Sequence, residues 1–118
     1  MIERRWLPPL AWAGCILIAT SIPGAHIPRV NVPNLDKVVH FVFYGVFAWL
    51  LLPALHGRRG QRIAMVLAFI AIFAALDEFH QKFIPGRSMD VEDWVADMSG
   101  AATALVIAAV ARRREVAS

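Results

Sequence analysis

Apolar residues dominate four stretches of the chain, and each stretch is bounded by charged residues, prolines or glycines. The apolar residues within a stretch are nearly continuous, which is typical of a helix that meets hydrocarbon on most of its surface. Each stretch extends to about the 20 residues that a helix needs to cross a hydrocarbon layer of about 30 Å. The pattern predicts an all-α, polytopic membrane protein, a four-transmembrane-helix bundle with helices at residues 6–22, 36–55, 63–84 and 91–111.

Polar residues are concentrated between the third and fourth predicted helices, in LDEFHQKFIPGRSMDVEDWVADMSG at residues 76–100. This segment holds six of the nine carboxylates. The unbroken apolar part of the third helix covers only residues 63–76, about 21 Å of helix, which is too short to span a bilayer. That of the fourth helix covers only residues 100–111. The charged ends of both helices must therefore lie at or just beneath one membrane interface.

The composition also indicates a membrane protein. With 118 residues, 58% hydrophobic and 18% charged, the chain departs from the averages of soluble folds and fits a single domain, residues 1–118. The net charge of +3 does not indicate nucleic-acid binding, because the basic residues cluster at the ends of the apolar stretches. The single cysteine, Cys15, excludes an intrachain disulfide and a cysteine metal cluster.

The positions of the basic residues predict the orientation in the membrane. Eight of the twelve fall in three regions: Arg4 and Arg5; Arg58, Arg59 and Arg62; and Arg112, Arg113 and Arg114. The other four are Arg29, Lys37, Lys82 and Arg87. The positive-inside rule places all three regions, and hence both termini, in the cytoplasm. Pro23, Pro28 and Pro33 predict an extended outer connection after the first helix. The first stretch also fits a signal peptide cleaved near Gly24, although three further spans favour a membrane helix.

Polar side chains on three helices fall at matched depths in this orientation. Counted from the basic residues at the inner edge, Asp77 and Asp97 both lie about 22 Å into the membrane. Gln81 and Asp93 lie at about 28 Å, and His40 lies at about 27 Å. A charged side chain costs about 3 kcal/mol or more near the bilayer centre, so it faces the bundle instead of lipid. We therefore expect these groups to converge on one site at the outer face.

The residue types at this site suggest three chemical roles. Asp77 and Glu78, as adjacent carboxylates, are candidates for acid–base chemistry or for metal ligation, and His40 is a candidate partner in proton transfer. Arg87 and Lys37 are suited to bind a phosphate group. The other expected ligand contacts are Gln81, Asp36, Asp93 and Asp97.

Several of these residues also have a purely structural interpretation. Asp90 is suited to be the N-cap of the fourth helix, with Asp93 in its first turn. Asp97 lies beyond that turn, so the alternative for this residue is an ion pair with Lys37 or Arg87. For the Asp77 and Glu78 carboxylates, the structural alternative to a catalytic role is an ion pair with Arg87. The sequence is compatible with both interpretations.

Metal binding and transport have weaker support in the sequence. His40, His80, Asp77, Asp93 and Asp97 include possible ligands of a divalent cation, but no HExxH-type motif accompanies them, so no metal and no cofactor are predicted. A small multidrug transporter of similar length would carry an essential acid in its first helix, and this first helix has none.

Three blocks of sequence resemble the signature of the VanZ-like membrane protein family: DKVVH at residues 36–40, DEFHQ at 77–81 and PGRSMDVEDWVAD at 85–97, followed by Gly100. The resemblance implies a small multi-pass protein of the bacterial inner (cytoplasmic) membrane, whose namesake is associated with low-level teicoplanin resistance. We do not transfer that phenotype. The family's motif positions fall on Asp36, Lys37, His40, Asp77, Glu78, Gln81, Arg87, Asp93 and Gly100. Many members have asparagine in place of Asp97, which favours a hydrogen-bonding role there.

These observations lead to two functional hypotheses. In the first, the outer polar site binds a lipid head group or a lipid-linked cell-envelope precursor, and modification of the bound lipid is a further step of the same hypothesis. In the second, the charged cluster is a structural ion-pair network and the protein is a non-catalytic membrane scaffold. The sequence leaves open whether the protein is an enzyme and which oligomer it forms.

Overall fold

The structure is all-helical. The computed structural model describes residues 3–27 and 32–117, with side chains up to residue 112. It contains four α-helices: α1 (Leu7–Thr20), α2 (Leu35–Leu51), α3 (Arg59–Gln81) and α4 (Val91–Ala117). Short 3-10 helices occur at Arg4–Trp6, Gly24–His26 and Leu52–Ala54. No strand occurs within the described ranges, so the predicted all-α class is confirmed.

Three helical segments are long and apolar enough to cross a membrane, namely Leu35–Ala54, Arg59–Gln81 and Val91–Arg112. This is the pattern of a multi-pass membrane protein. The first helix is shorter than the predicted 6–22. Its α-helical part has 14 residues, Leu7–Thr20, and ends three residues before Pro23. Large apolar side chains point outward, with Ile18 70% and Phe83 67% exposed. Such exposure is expected for helices that are surrounded by acyl chains.

The ends of α3 differ from the predicted 63–84. The helix begins four residues earlier, where the Gln61 Oε1 atom accepts a hydrogen bond from the Arg58 backbone N–H at 3.2 Å and so stabilises the first turn. It ends at Gln81, after which turn hydrogen bonds such as Ile84 N–H to the Gln81 carbonyl (3.1 Å) replace the helical pattern. α4 continues past the predicted end because residues 112–117 contain no helix breaker.

The closest helix packing joins α2 and α4. A Cβ atom added to Gly45 would lie 3.3 Å from the Gly100 carbonyl oxygen, and one added to Gly100 would overlap the Phe41 carbonyl group. Two facing glycines therefore allow the two backbones to approach closely, as small residues do between membrane helices. Gly100 and Ala104, four residues apart on α4, are both buried.

The α1 terminus and the α3–α4 loop lie against each other. The Gly24 N–H donates to the Pro85 carbonyl at 2.8 Å, and a Cβ added to Gly86 would lie 2.9 Å from the Gly24 Cα. Gly86 has a φ of +75°, a conformation that favours glycine. The predicted connection without helix is wrong at Gly24–His26, which forms a 3-10 turn. Pro28 lies outside the described residues.

Candidate functional site

The charged ends of α2, α3 and α4 meet at one end of the bundle. α2 contributes Asp36, Lys37 and His40, α3 contributes Asp77, Glu78 and Gln81, and α4 contributes Asp93 and Asp97. Exposure is 2% for Asp77, 3% for Glu78, 2% for Gln81, 7% for Asp93 and 0% for Asp97. The convergence expected from matched depth is confirmed. The five residues from α3 and α4 are buried against protein, as the high cost of placing them in lipid requires.

Lys37 joins the beginnings of α2 and α4. Its ammonium lies 2.9 Å from Asp36 Oδ2, 2.8 Å from Asp90 Oδ2 and 2.5 Å from Asp93 Oδ1. Asp90 Oδ1 also accepts the Glu92 backbone N–H at 2.9 Å, which confirms that Asp90 is the N-cap of α4. The hydrogen bond from Lys37 holds the pKa of the Asp90 carboxyl below its usual value. Lys37 is therefore already paired with three carboxylates.

His40 is the centre of a second group of carboxylates. Its Nδ1 atom lies 2.8 Å from Asp97 Oδ1 and 3.9 Å from Glu78 Oε1, while its Nε2 atom lies 3.6 Å from Asp93 Oδ2. The partner of Asp97 is thus His40, and the alternative ion pair with Lys37 or Arg87 is wrong for the described contacts. The other oxygen of Asp97 is buried and has no hydrogen-bond partner among the described residues.

Asp77 is hydrogen-bonded to two hydroxyl groups. Thr20 Oγ1 lies 2.7 Å from its Oδ1 atom, and Tyr44 donates to its Oδ2 atom at 3.0 Å. The Thr20 hydroxyl also lies 3.0 Å from the Ile16 carbonyl, so its single hydrogen serves one acceptor at a time. The sequence reasoning missed Thr20 because the first helix carries no ionisable residue. The available signal was a hydroxyl group near the outer end of an apolar helix.

Glu78 connects the end of α3 to the segment that precedes α4. Its Oε2 atom accepts the Asp90 backbone N–H at 3.2 Å, and its Oε1 atom accepts a hydrogen bond from Gln81 Nε2 at 3.3 Å. Glu78 and Asp77 therefore have different surroundings although they are adjacent. The alternative in which either carboxylate pairs with Arg87 is wrong, since neither forms an ion pair with it in the described part of the chain.

Arg87 binds the end of α1. Its Nε donates to the Ile22 carbonyl at 3.0 Å and its Nη2 donates to the Ala19 carbonyl at 3.0 Å. These carbonyls belong to the unsatisfied last turn of a helix, where a cation is favoured. Two of the five guanidinium N–H groups are used in this way, and Nη1 makes no hydrogen bond to the described residues.

His80 does not join the site. It shares a helical face with Asp77 only loosely, and the buried face of α3 is centred on Ala74, Asp77, Glu78 and Gln81. His80 lies to one side of this face and is exposed. It is therefore unavailable as a ligand beside His40. His80 is three residues after Asp77, a spacing that places two residues near each other on a helix. The buried face of α3 nevertheless does not extend as far as His80.

A cavity of about 460 Å³ lies beside the cluster, between the end of α1 and the beginning of α2. The polar residues that line it are Thr20, His26, Asp36, His40 and Arg87. Its other walls, which include Val39 and Phe43, are mainly apolar. The cavity is therefore mainly apolar. None of the four buried carboxylates lines it, namely Asp77, Glu78, Asp93 and Asp97, and His40 lies between the cavity and three of them.

One subset of the cluster has the spacing of a metal site. A nitrogen of His40, an oxygen of Glu78 and an oxygen of Asp93 all lie within 4.8 Å of one another. Of the candidate metal ligands named from the sequence, His40, Glu78 and Asp93 belong to this subset, and His80, Asp77 and Asp97 do not. Asp77 is held by the two hydroxyl groups instead.

Comparison with known proteins gives an independent assignment. The family model described as VanZ/LLP1 matches residues 6–112. The chain is 30% identical over 110 residues to an uncharacterized protein of the fission yeast Schizosaccharomyces pombe. This match covers 86% of the chain and 63% of the relative, so the chain spans less than two thirds of that protein's length. No solved structure matches the chain. Because the family model covers nearly all of its length and its motif residues meet at one site, the chain belongs to the VanZ/LLP1 family.

Proposed function

We propose that the protein crosses the membrane four times, with both termini in the cytoplasm and the charged cluster at the outer face. α1 is about 21 Å long, and the preceding 3-10 turn at Arg4–Trp6 adds about 6 Å. Together they approach the thickness of a bilayer of about 30 Å. The three basic regions then lie on one side and Asp36, Asp77 and Asp93 on the other, in agreement with the positive-inside rule.

The function that we propose is binding of a lipid head group or a lipid-linked envelope precursor in the cavity between α1 and α2. The supporting observation is that His40 lines this cavity and also contacts the buried carboxylates. Apolar walls such as Val39 and Phe43 suit an acyl or prenyl chain, whereas Arg87 and His40 suit an anionic head group. An amphipathic ligand is complementary to both parts.

Modification of the bound lipid is a further step of this proposal. Of the three candidate catalytic residues, only His40 lines the cavity, so it would transfer the proton, with Asp97 orienting its ring. Glu78 would act through it, whereas Asp77 would act through Thr20, which lines the cavity and is hydrogen-bonded to Asp77. Arg87 has free N–H groups for a phosphate oxygen. Lys37 would hold the site together, because three carboxylates already surround its ammonium.

We propose the cytoplasmic membrane of a bacterium as the location, with the cavity open to the outer leaflet. The fission yeast relative extends the likeness beyond bacteria. We therefore define the ligand by its chemistry, an anionic head group on an apolar chain, instead of by one bacterial precursor.

Binding can be tested with purified protein in nanodiscs that contain a neutral lipid and about 10% anionic phospholipid. Retention of the anionic lipid after transfer to detergent would be measured by native mass spectrometry. We expect His40→Ala to reduce retention about tenfold and His80→Ala, which changes an exposed histidine outside the cavity, to leave it unchanged. Equal retention by both variants would contradict the proposed site.

The structural network is the second candidate function, and the pairing of Lys37 with three carboxylates favours it. A charge exchange separates the two candidates. Lys37→Asp combined with Asp93→Lys should restore folding if the pair is only a lock between α2 and α4. Recovery of folding supports the lock in either case. The two candidates then differ in lipid retention: the scaffold predicts no specific retention by the wild-type protein or the exchange variant, whereas the binding site predicts retention that His40→Ala lowers.

A further inference from the structure

Four buried carboxylates lie near one another, with little positive charge to balance them. Asp77, Glu78, Asp93 and Asp97 are at most 7% exposed. Among the described lysines and arginines, only Lys37 lies within 4 Å of any of the four, and it contacts Asp93 alone. Several uncompensated charges in a low-dielectric interior are costly, so either protons or a cation must balance them.

The oxygens of two of these carboxylates are divided between protein contacts and His40. Asp93 directs Oδ1 to Lys37 at 2.5 Å and Oδ2 to His40 Nε2 at 3.6 Å. Glu78 directs Oε2 to the Asp90 N–H at 3.2 Å and Oε1 towards His40 at 3.9 Å. In Asp93 one oxygen is held by Lys37 while the other faces the imidazole. In Glu78 the oxygen that faces the imidazole also accepts a hydrogen bond from Gln81 Nε2 at 3.3 Å, which a bound cation would compete with.

His40 is oriented in the way that metal-binding histidines are oriented. Its Nδ1 atom lies 2.8 Å from Asp97 Oδ1, which leaves the Nε2 atom for another partner. A carboxylate behind the imidazole fixes the tautomer and makes the other nitrogen a better ligand. The second oxygen of Asp97, a residue with 0% exposure, has no hydrogen-bond partner in the described part of the chain. A polar atom left unsatisfied within the cluster indicates that a component of the site is missing.

We propose that His40, Glu78 and Asp93 bind one divalent transition-metal ion, with Asp97 as the positioning residue for His40. Ligands 2.0–2.2 Å from a metal are separated from each other by about 3.0–4.4 Å. In a tetrahedral site these separations are about 3.3–3.6 Å, so the present separations of up to 4.8 Å would contract by up to about 1 Å when the ion binds. One nitrogen and two carboxylate ligands favour Zn²⁺, Mn²⁺ or Fe²⁺ over copper(I), which prefers sulfur ligands.

The proposed metal site would be accessible to a molecule bound in the cavity. Three protein ligands leave at least one coordination position open, as in catalytic metal centres. His40 lines the cavity, so a molecule bound there can approach the ion. The metal site is nevertheless inferred from the ligand geometry alone and does not depend on the lipid.

The test uses the full-length protein without an affinity tag, purified in detergent, stripped with a chelator and titrated with ZnCl₂ or MnCl₂ in a calorimeter. We expect about one equivalent to bind with a Kd below about 1 μM for the preferred ion. Glu78→Gln and Asp93→Asn should weaken binding by at least about 100-fold, and Asp97→Asn by about 10–100-fold. Glu92→Gln and His80→Gln change exposed neighbours and should leave the Kd within about twofold.

Two results would overturn the metal site: no saturable binding of either ion, or binding that the Glu78 and Asp93 variants do not weaken. Thermal unfolding in chelator shows whether each variant folds. If a variant does not fold, the wild-type protein loaded with Co²⁺ decides, because a four- or five-coordinate protein site gives ligand-field bands that are stronger and at longer wavelength than those of the aqueous ion. Only the weak bands of aqueous Co²⁺ would overturn the site. No lipid is added in these titrations, so their outcome is separate from that of the lipid-retention experiment.

Discussion

Replacing Gly100 by alanine tests the close contact of α2 and α4 with a single methyl group. The added Cβ would overlap the Phe41 carbonyl, which is backbone and cannot rotate away. The helices must therefore separate by about 1 Å to restore ordinary van der Waals distances. Overpacking of this kind costs about 1–3 kcal/mol. Alanine also gains up to about 1 kcal/mol in helix propensity, so a matched glycine is needed as reference.

Two other glycines provide that reference. Gly14 lies in α1, and a Cβ there would meet nothing within 4 Å. Gly45 is intermediate, since its Cβ would lie 3.3 Å from the Gly100 carbonyl oxygen. All three are helical, so the gain in propensity is about the same. We expect the free energy of unfolding to fall in the order Gly14→Ala, Gly45→Ala, Gly100→Ala, with about 1–3 kcal/mol between the first and the last.

The assay is reversible unfolding in mixed micelles by titration with sodium dodecyl sulfate, followed by circular dichroism. A second readout is the affinity for the proposed ligands, the metal ion and the anionic lipid. The Lys37–Asp93 and His40–Asp97 contacts join the same two helices. Separation of the helices should weaken both pairs. If Gly100→Ala is as stable as Gly14→Ala, the close approach of α2 and α4 is wrong, and with it the distances on which the site depends.

Three further substitutions test other contacts. Tyr44→Phe should lower the free energy of unfolding by about 1–3 kcal/mol in the same titration, because it removes the buried hydroxyl that donates to Asp77. Arg87→Met should speed hydrogen exchange at residues 18–22 about tenfold, measured by mass spectrometry, because the last carbonyls of α1 lose their donor. Gly24→Ala should destabilise the protein in the titration, because its Cβ would overlap the Gly86 carbonyl.

For each substitution, one result would contradict the contact on which the prediction depends. A change below about 0.5 kcal/mol for Tyr44→Phe would mean that water satisfies Asp77 equally well. Lys82→Met removes an exposed cation from the same outer region, and equal exchange in it and in Arg87→Met would exclude a specific role of the arginine. Wild-type stability of Gly24→Ala would show that α1 and the loop do not lie so close together.

Much of the site could be predicted from the sequence because the cost of charge in lipid allows few arrangements. Asp77 and Asp97 lie at matched depth, and hydrocarbon excludes both, so a shared interior site was the remaining solution. The matched depths depend only on helix rise and on the basic residues at the inner edge. The same reasoning predicted the N-cap at Asp90, which is a local property of the chain.

The pairing within the site could not be predicted, because depth does not specify rotation about the helix axis. Asp97 pairs with His40, whereas Lys37, almost one turn earlier on α2, pairs with Asp93. Arg87 binds carbonyls of α1, a partner that a search for charged groups does not consider. Thr20 was missed for a similar reason, since one hydroxyl group changes the hydropathy of α1 very little.

The contacts of α1 with later parts of the chain have a consequence for biogenesis. Asp77, the partner of Thr20, is 57 residues further along the chain. Arg87, which binds the Ala19 and Ile22 carbonyls, is 68 and 65 residues further along. During synthesis, α1 is therefore made before the side chains that bind its C-terminal end, and the Ala19 and Ile22 carbonyls do not yet have the arginine that they bind in the folded protein. We infer that α1 reaches its final position only after the α3–α4 loop has been synthesised. The first helix to be made is then the last to be fixed in place.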